Sequence, residues 1–269
     1  MIELFEQNIR TNDRQSSKGN QLKWLSSGIW YKADYTGYEG LAEYMISNLM
    51  QYSSLEAEEY VIYETEEIRY GHSSFKGCRS KDFLPEGWQL ITLERLFQNY
   101  YGESLNRSLY TIVNHESRLR FLVEQTERIT GLREFGVYIS KLLTVDSFFM
   151  NEDRHTHNIA VLVDESKNYH YCPVFDNGAA LLSDTTMDYP LNMEVVELMA
   201  DVEPKTFCRD FDEQLDLVEK LYGKHIEFDF GIKEIENLLN NEKYYSQEIK
   251  ARVKDIVLEQ KRKYKYLFK

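Results

Sequence analysis

NEDRHTHNIAVLVDESKNYHYCPVFDNG, residues 151–178, decides how the chain is read. The first eight residues crowd two acids, two histidines, an arginine and two asparagines into one stretch. An apolar run, a polar turn and an aromatic run follow, ending in Asp176-Asn177-Gly178. That order predicts a β-hairpin turning at Asp164–Asn168, with Val163 paired to Tyr169. Continuing the register sets Asn158 opposite Val174 and brings Asp176 near Thr156 and His157. Asp153, Asn158 and Asp176 are therefore expected at one end of one hairpin. Asn177-Gly178 suits a tight turn with positive φ.

Two chemistries compete for this cluster. His155 and His157, two apart on an extended segment, share a face and could chelate a transition metal with Asp153, as a metal-dependent hydrolase would. Alternatively, Asp153 orients and deprotonates a hydroxyl, while the amide oxygen of Asn158 and the carboxylate of Asp176 hold Mg²⁺, a hard cation that prefers oxygen over imidazole. A transition-metal site wants a third ligand, and His170 falls at the wrong end of the hairpin.

The 269 residues are 42% hydrophobic, enough for one large domain or two small lobes with a proper core. Twenty Tyr and fourteen Phe mark a globular chain. The net charge of −13 leaves no basic face for nucleic acid or an anionic membrane; the one basic stretch, KRKYKYLFK (261–269), reads as the C-terminus of a helix. Cys78, Cys172 and Cys208 have no paired or metal-type spacing, as in a reducing compartment. The start MIELFEQNIR lacks a signal-peptide pattern and no apolar run approaches membrane length, so a cytoplasmic protein is expected.

Upstream, QLKWL (21–25) and GIWYKAD (28–34) read as a hairpin around Ser26-Ser27, YEGLAEYMISNLMQY (38–52) as a helix, EEYVIYET (58–65) as a strand and residues 73–88 as an irregular connector. Helices are expected at 89–102, 115–129, 132–150, 212–223, 231–240 and from about Ser246. The expected fold class is α+β: a small β-rich N-terminal lobe with one helix (about 1–66), a hinge or connector (about 67–88) and a larger, mainly helical C-terminal lobe (about 89–269) holding the hairpin.

Asp153-Arg154-His155-x-x-Asn158, followed after a hairpin by Asp176-x-Gly178, resembles the catalytic and metal-binding loops of HipA-like serine/threonine kinases, and the D-R-H-x-x-N wording is shared with phosphatidylinositol kinases. Ser16-Ser17-Lys18-Gly19-Asn20-Gln21-Leu22-Lys23 is similar to that family's phosphate-side loop, S-x-x-G-x-Q-x-K. The similarity spans about residues 15–180 and looks most like the compact HipT and CtkA type, because the chain starts close to the phosphate loop. The resemblance implies a two-lobed protein kinase-like fold and transfer of phosphate from ATP, with Mg²⁺, to a protein Ser or Thr. Asp153 and His155 would be catalytic, and Asn158 and Asp176 would hold metal. Ser16, Ser17 and Gly19 would contact phosphate, with Ser16 open to autophosphorylation. Lys32 would grip the nucleotide, paired with Glu43 or its rival Glu39 one turn earlier. Asp146 would brace the loop. Glu64 and Glu66 are placed at the adenine hinge by position alone. An unknown protein substrate, and an antitoxin or regulator, are the implied partners. A pseudokinase or nucleotide-binding interaction module and a lipid or small-molecule kinase are the alternatives beside the hydrolase.

Overall fold

The computed structural model describes residues 1–5 and 21–269. Its elements run β1 (Ile2–Leu4), β2 (Lys23–Ser26), β3 (Ile29–Ala33), α1 (Glu39–Met50), β4 (Tyr63–Tyr70), β5 (Ser73–Lys81), β6 (Gln89–Thr92), α2 (Leu93–Tyr101), α3 (Leu105–Thr111), α4 (His115–Thr130), α5 (Phe135–Phe149), β7 (Ala160–Val163), β8 (Tyr169–Tyr171), α6 (Val195–Ala200), α7 (Phe211–Tyr222), α8 (Ile232–Asn241) and α9 (Gln247–Lys263). They form two compact units. Residues 1–83, 175–202 and 227–269 make the first, and residues 84–174 and 203–226 the second.

In the first unit a five-stranded sheet has the order β1-β4-β5-β3-β2. β2 and β3 are joined by Ser27 and Gly28, both at positive φ (52° and 74°), which is the two-residue turn whose twist matches that of the strands. The turn thus lies one residue beyond Ser26-Ser27. Leu4, Trp24, Tyr31, Ala33 and Ile68 pack as one apolar cluster of this sheet. α1 carries buried Leu41, Met45 and Leu49 and seats against β5 through two glycines. A Cβ on Gly40 would lie 2.4 Å from the carbonyl carbon of Gly77, and one on Gly77 would lie 2.0 Å from the backbone oxygen of Lys32. Neither position tolerates a side chain without moving backbone.

Two sequence expectations need correction here. The strand expected at 58–65 is β4 at Tyr63–Tyr70, preceded by a 3₁₀ turn at Ala57–Glu59. The connector expected at 73–88 is mostly β5, whose register Lys32↔Cys78 and Glu64↔Arg79 makes it the middle of the sheet. β5 reads as polar because several of its residues remain exposed and its one glycine is needed for close approach, so the usual apolar alternation is weak. The chain therefore turns back at Gly71-His72 and passes to the second unit at Phe83–Leu84.

In the second unit β6, β7 and β8 form a three-stranded sheet. The register Val163↔Tyr169 is the one the sequence predicts, and Lys167 takes positive φ in the turn. β6 occupies the first four residues of the helix expected at 89–102; Thr92 then caps α2 by accepting from the amide of Arg95. α5, nearly all buried, ends at Met150 in the left-handed region and delivers the chain into the 151–158 loop. Cys78, Cys172 and Cys208 are free and buried, and no described helix is long and apolar enough to cross a membrane.

Candidate active site

The first unit assembles a charged node around Lys32. Its ammonium lies 2.6 Å from Glu43 Oε1 and 2.7 Å from Asp176 Oδ1. It also donates to Tyr63 Oη at 3.4 Å, and the Tyr63 ring centroid is 5.0 Å away. Lys23, the last residue of the 16–23 motif, stands directly opposite Lys32 in the β2–β3 ladder, with its Nζ 3.8 Å from the same Asp176 oxygen. Like charges opposed in a ladder repel; the Asp176 carboxylate sits against both. Burial works to lower the Lys32 pKa, but the Asp176 and Glu43 carboxylates outweigh it and hold the ammonium well above the usual lysine range. Lys32 is a fixed positive charge.

Glu43 reaches the node from α1, and its second oxygen accepts from the amide of Asn177 at 2.9 Å. One glutamate thus ties the β3 lysine to the 176–178 turn. Glu39 accepts instead from the amides of Tyr35, Thr36 and Gly37 and from Thr36 Oγ1, at the N-terminus of its own helix. In the turn itself the positive φ falls on Asp176 (59°) and not on Asn177 or Gly178, at a residue type that tolerates the left-handed region. That conformation belongs to the residue whose carboxylate meets Lys32. Gly178 packs closely on α1: a Cβ there would lie 3.3 Å from Glu39 Cβ and 3.7 Å from Glu43 Cγ.

Glu64 and Glu66 sit on β4, engaged with Arg79 of β5. Glu64 Oε2 accepts from Arg79 Nε at 3.0 Å, and Glu66 Oε2 lies 3.6 Å from Arg79 Nη1. Glu66 also lies 3.1 Å from the amino group of Met1. Because β4 continues to Tyr70 and folds back into β5, these two glutamates lie inside a hairpin and not at the end of a strand. Ser16, Ser17 and Gly19 lie outside the described residues.

The second unit holds the 151–158 loop. Asp146, fully buried on α5, accepts from Asn151 Nδ2 at 2.9 Å and is gripped by the guanidinium of Arg154, with Nε 3.0 Å from Oδ2 and Nη2 3.1 Å from Oδ1. Arg154 Nη1 donates to the backbone oxygen of Asn158, and Thr206 Oγ1 donates to that of Arg154. Burial raises the Asp146 carboxyl and the Arg154 charge pulls it back, leaving a net rise. Asp146 and Arg154 brace the loop from beneath.

On this brace, Asp153 receives the Asn158 amide nitrogen at its backbone oxygen (2.9 Å) and at Oδ2 (3.4 Å). Both Asn158 donations leave through nitrogen, so the amide oxygen is kept as an acceptor. His155 donates its amide to Asp153 O at 3.0 Å, and its Nδ1 accepts from the amide of His157 at 3.3 Å. The two imidazoles stand edge to face, 5.4 Å apart. Among the described residues no three His, Cys, Asp or Glu side chains cluster as a metal site. Sequence reading missed Glu94 on α2. Its Oε2 accepts from Thr156 Oγ1 (3.0 Å) and the amide of Asn106 (2.8 Å). Burial would raise its pKa, but its hydrogen bonds, Ser104 first, bring it below the usual value. An acid in the first turn of a helix gives no sequence signal for such a role.

Among solved structures the chain is similar to CtkA, a proinflammatory kinase of Helicobacter pylori: TM-score 0.60 and 15% identity, covering 99% of this chain and 96% of that one. It is also similar to a chain of the toxin–antitoxin complex of HipA, HipB and operator DNA from Shewanella oneidensis MR-1, with TM-score 0.49 and 13% identity over 94% of this chain and 66% of that one. No protein-family profile and no curated protein sequence matches. The likeness to CtkA establishes the fold: this chain has the α+β fold of that kinase structure, which the sequence resemblance implied.

Proposed function

We propose that the chain is an ATP- and Mg²⁺-dependent kinase of the HipA-like type, transferring a phosphoryl group to a Ser or Thr hydroxyl of a protein. The observation that carries this reading is the Lys32 node. A lysine held cationic by a helix glutamate and by the aspartate of a D-N-G turn is a positioned charge for nucleotide phosphates. In this reading Lys32, aligned by Glu43, grips the α- and β-phosphates, and the Ser16–Gly19 loop covers them.

Asp153 accepts the proton of the attacking hydroxyl as the new P–O bond forms and the bond to ADP breaks, with His155 beside it. Asn158 and Asp176 would hold Mg²⁺. The donor set fits: two oxygens, one of them the Asn158 oxygen left over after its nitrogen is spent on Asp153. When bound, Mg²⁺ supplies neutralisation of phosphate charge. The chain's own contribution is position and fixed charge, since phosphoryl transfer asks little covalent chemistry of the protein. Modification of Ser16 and an antitoxin or regulator as partner are extensions of the same resemblance; a cytoplasmic location is the expectation carried over from the cysteine pattern.

Mg²⁺-ATP is expected to raise the melting temperature of the parent protein and to do so less in Lys32→Met and in Asp176→Ala, each compared with its own ligand-free baseline. Equal shifts in all three would remove Lys32 from the binding role. A Zn²⁺- or Fe²⁺-dependent hydrolysis that needs no nucleotide would overturn the kinase reading in favour of His155 and His157.

A further inference from the structure

Asp34, at the end of β3, joins three parts of the first unit. Its Oδ1 accepts from the amide of Gly40 in the first turn of α1 at 2.6 Å, and its Oδ2 accepts from Tyr245 Oη at 2.7 Å. α1 has no side-chain cap from its own N-cap residue, Tyr38, so Asp34 takes that role from the neighbouring strand. Tyr245 comes from the connection between α8 and α9. Its ring is buried, with Lys76 Nζ 5.4 Å from the centroid.

The connection is itself pinned. Glu242 Oε2 accepts from the Tyr245 amide at 3.0 Å and lies 3.1 Å from the ammonium of Lys250 on α9. Gly40, the amide that Asp34 holds, is the residue packed without slack on Gly77, which is packed in turn on the backbone of Lys32. Glu43 follows Gly40 by three residues, on the same face of the helix. A displacement of the Gly40 end therefore moves the carboxylate that meets Lys32.

We infer that Tyr245 is a positioning residue for the Lys32–Glu43 pair, acting through Asp34 and the N-terminus of α1. A residue far along the chain, in the C-terminal third, thereby sets the geometry of the lysine on β3. The inference rests on the ATP-binding reading of Lys32 for its functional consequence, and on hydrogen bonds and backbone packing for its mechanism.

Tyr245→Phe keeps the buried ring and removes only the hydroxyl. It is expected to weaken Mg²⁺-ATP binding about tenfold, the size of one charge-assisted hydrogen bond. In a Glu43→Gln background the same change should add less than about twofold, because the route through Glu43 is already cut. A tenfold loss in both backgrounds would mean that Tyr245 acts elsewhere, and no loss in the parent would mean that it positions nothing; either overturns the inference.

Amide hydrogen exchange separates this failure from failure of the kinase reading. In the ligand-free protein, Tyr245→Phe should speed exchange at Gly40 about tenfold while α4 is unchanged. Unchanged exchange at Gly40 overturns the inference. Absence of ATP binding in the parent protein, with faster exchange in the variant, leaves the mechanical link standing and sinks the nucleotide role.

Discussion

Asp146 and Arg154 pair across eight residues of chain, Lys32 and Asp176 across 144. The first pair is sealed, with side-chain exposures of 0% and 1%; the second keeps 10% and 17% open. In the sealed pair each charge answers mainly the other, and its product is the shape of the 151–158 loop. In the open node one ammonium is shared between two carboxylates, so no single acid is indispensable to the fold, and charge remains within reach of a ligand. The sealed pair braces a loop and the open pair leaves charge exposed, one in each compact unit.

The largest effect expected from this difference is on stability. Asp146→Ala strands a buried guanidinium and should cost about 3–5 kcal/mol in urea unfolding. Glu43→Gln leaves Lys32 paired with Asp176 and should cost about 1–2 kcal/mol, with its main effect on nucleotide affinity. Equal costs would erase the distinction between brace and node. The seat of α1 sharpens it further: Gly77→Ala drives a Cβ into the Lys32 backbone oxygen and should cost about 1–3 kcal/mol, together with weaker Mg²⁺-ATP binding. A stability loss with unaltered affinity would show that the α1–β5 contact does not feed the node.

The most gradual effect is a pH dependence. Burial, then the nearby Glu39 of α1, lifts the Asp34 carboxyl to about 7, against the opposing pull of Tyr245, Gly40 and Lys76 of β5. A carboxyl raised on folding stabilises the protein at low pH and loses that contribution as pH climbs through the folded value. Unfolding free energy should fall by up to about 1.4 kcal/mol per pH unit between the ordinary carboxylate range and pH 7. Asp34→Asn should flatten that part of the profile, and an unaltered profile would remove Asp34 as its source.

What the sequence made legible follows the same division between local and distant. The β7–β8 register could be read to the residue because an apolar run, a polar turn and an aromatic run lie in one stretch. The Asp146 brace was implied by the resemblance alone, and the contacts of Asp146 with Asn151 and Arg154 tie it to the loop. The choice between Glu39 and Glu43 was not, since both lie on nearly the same helix face; it is decided by Gly40 packing on Gly77 and by the Asn177 amide, contacts with no local signal. β5 escaped notice because its residues are polar and half-exposed, so the strand before it was expected to end at Thr65 and a connector to follow where β4 and β5 pair. Asp176 was identified by its motif, but its positive φ was assigned to the two residues after it.

The most direct test follows labelled phosphate from γ-labelled ATP with Mg²⁺ onto protein, for the parent chain, Asp153→Ala and Asp176→Ala, with nucleotide binding measured on the same samples. The account predicts transfer by the parent alone, with Asp153→Ala still binding nucleotide and Asp176→Ala binding it less well. Transfer that survives in Asp153→Ala, or a parent protein that binds ATP and transfers nothing to itself or to any protein offered, would contradict it.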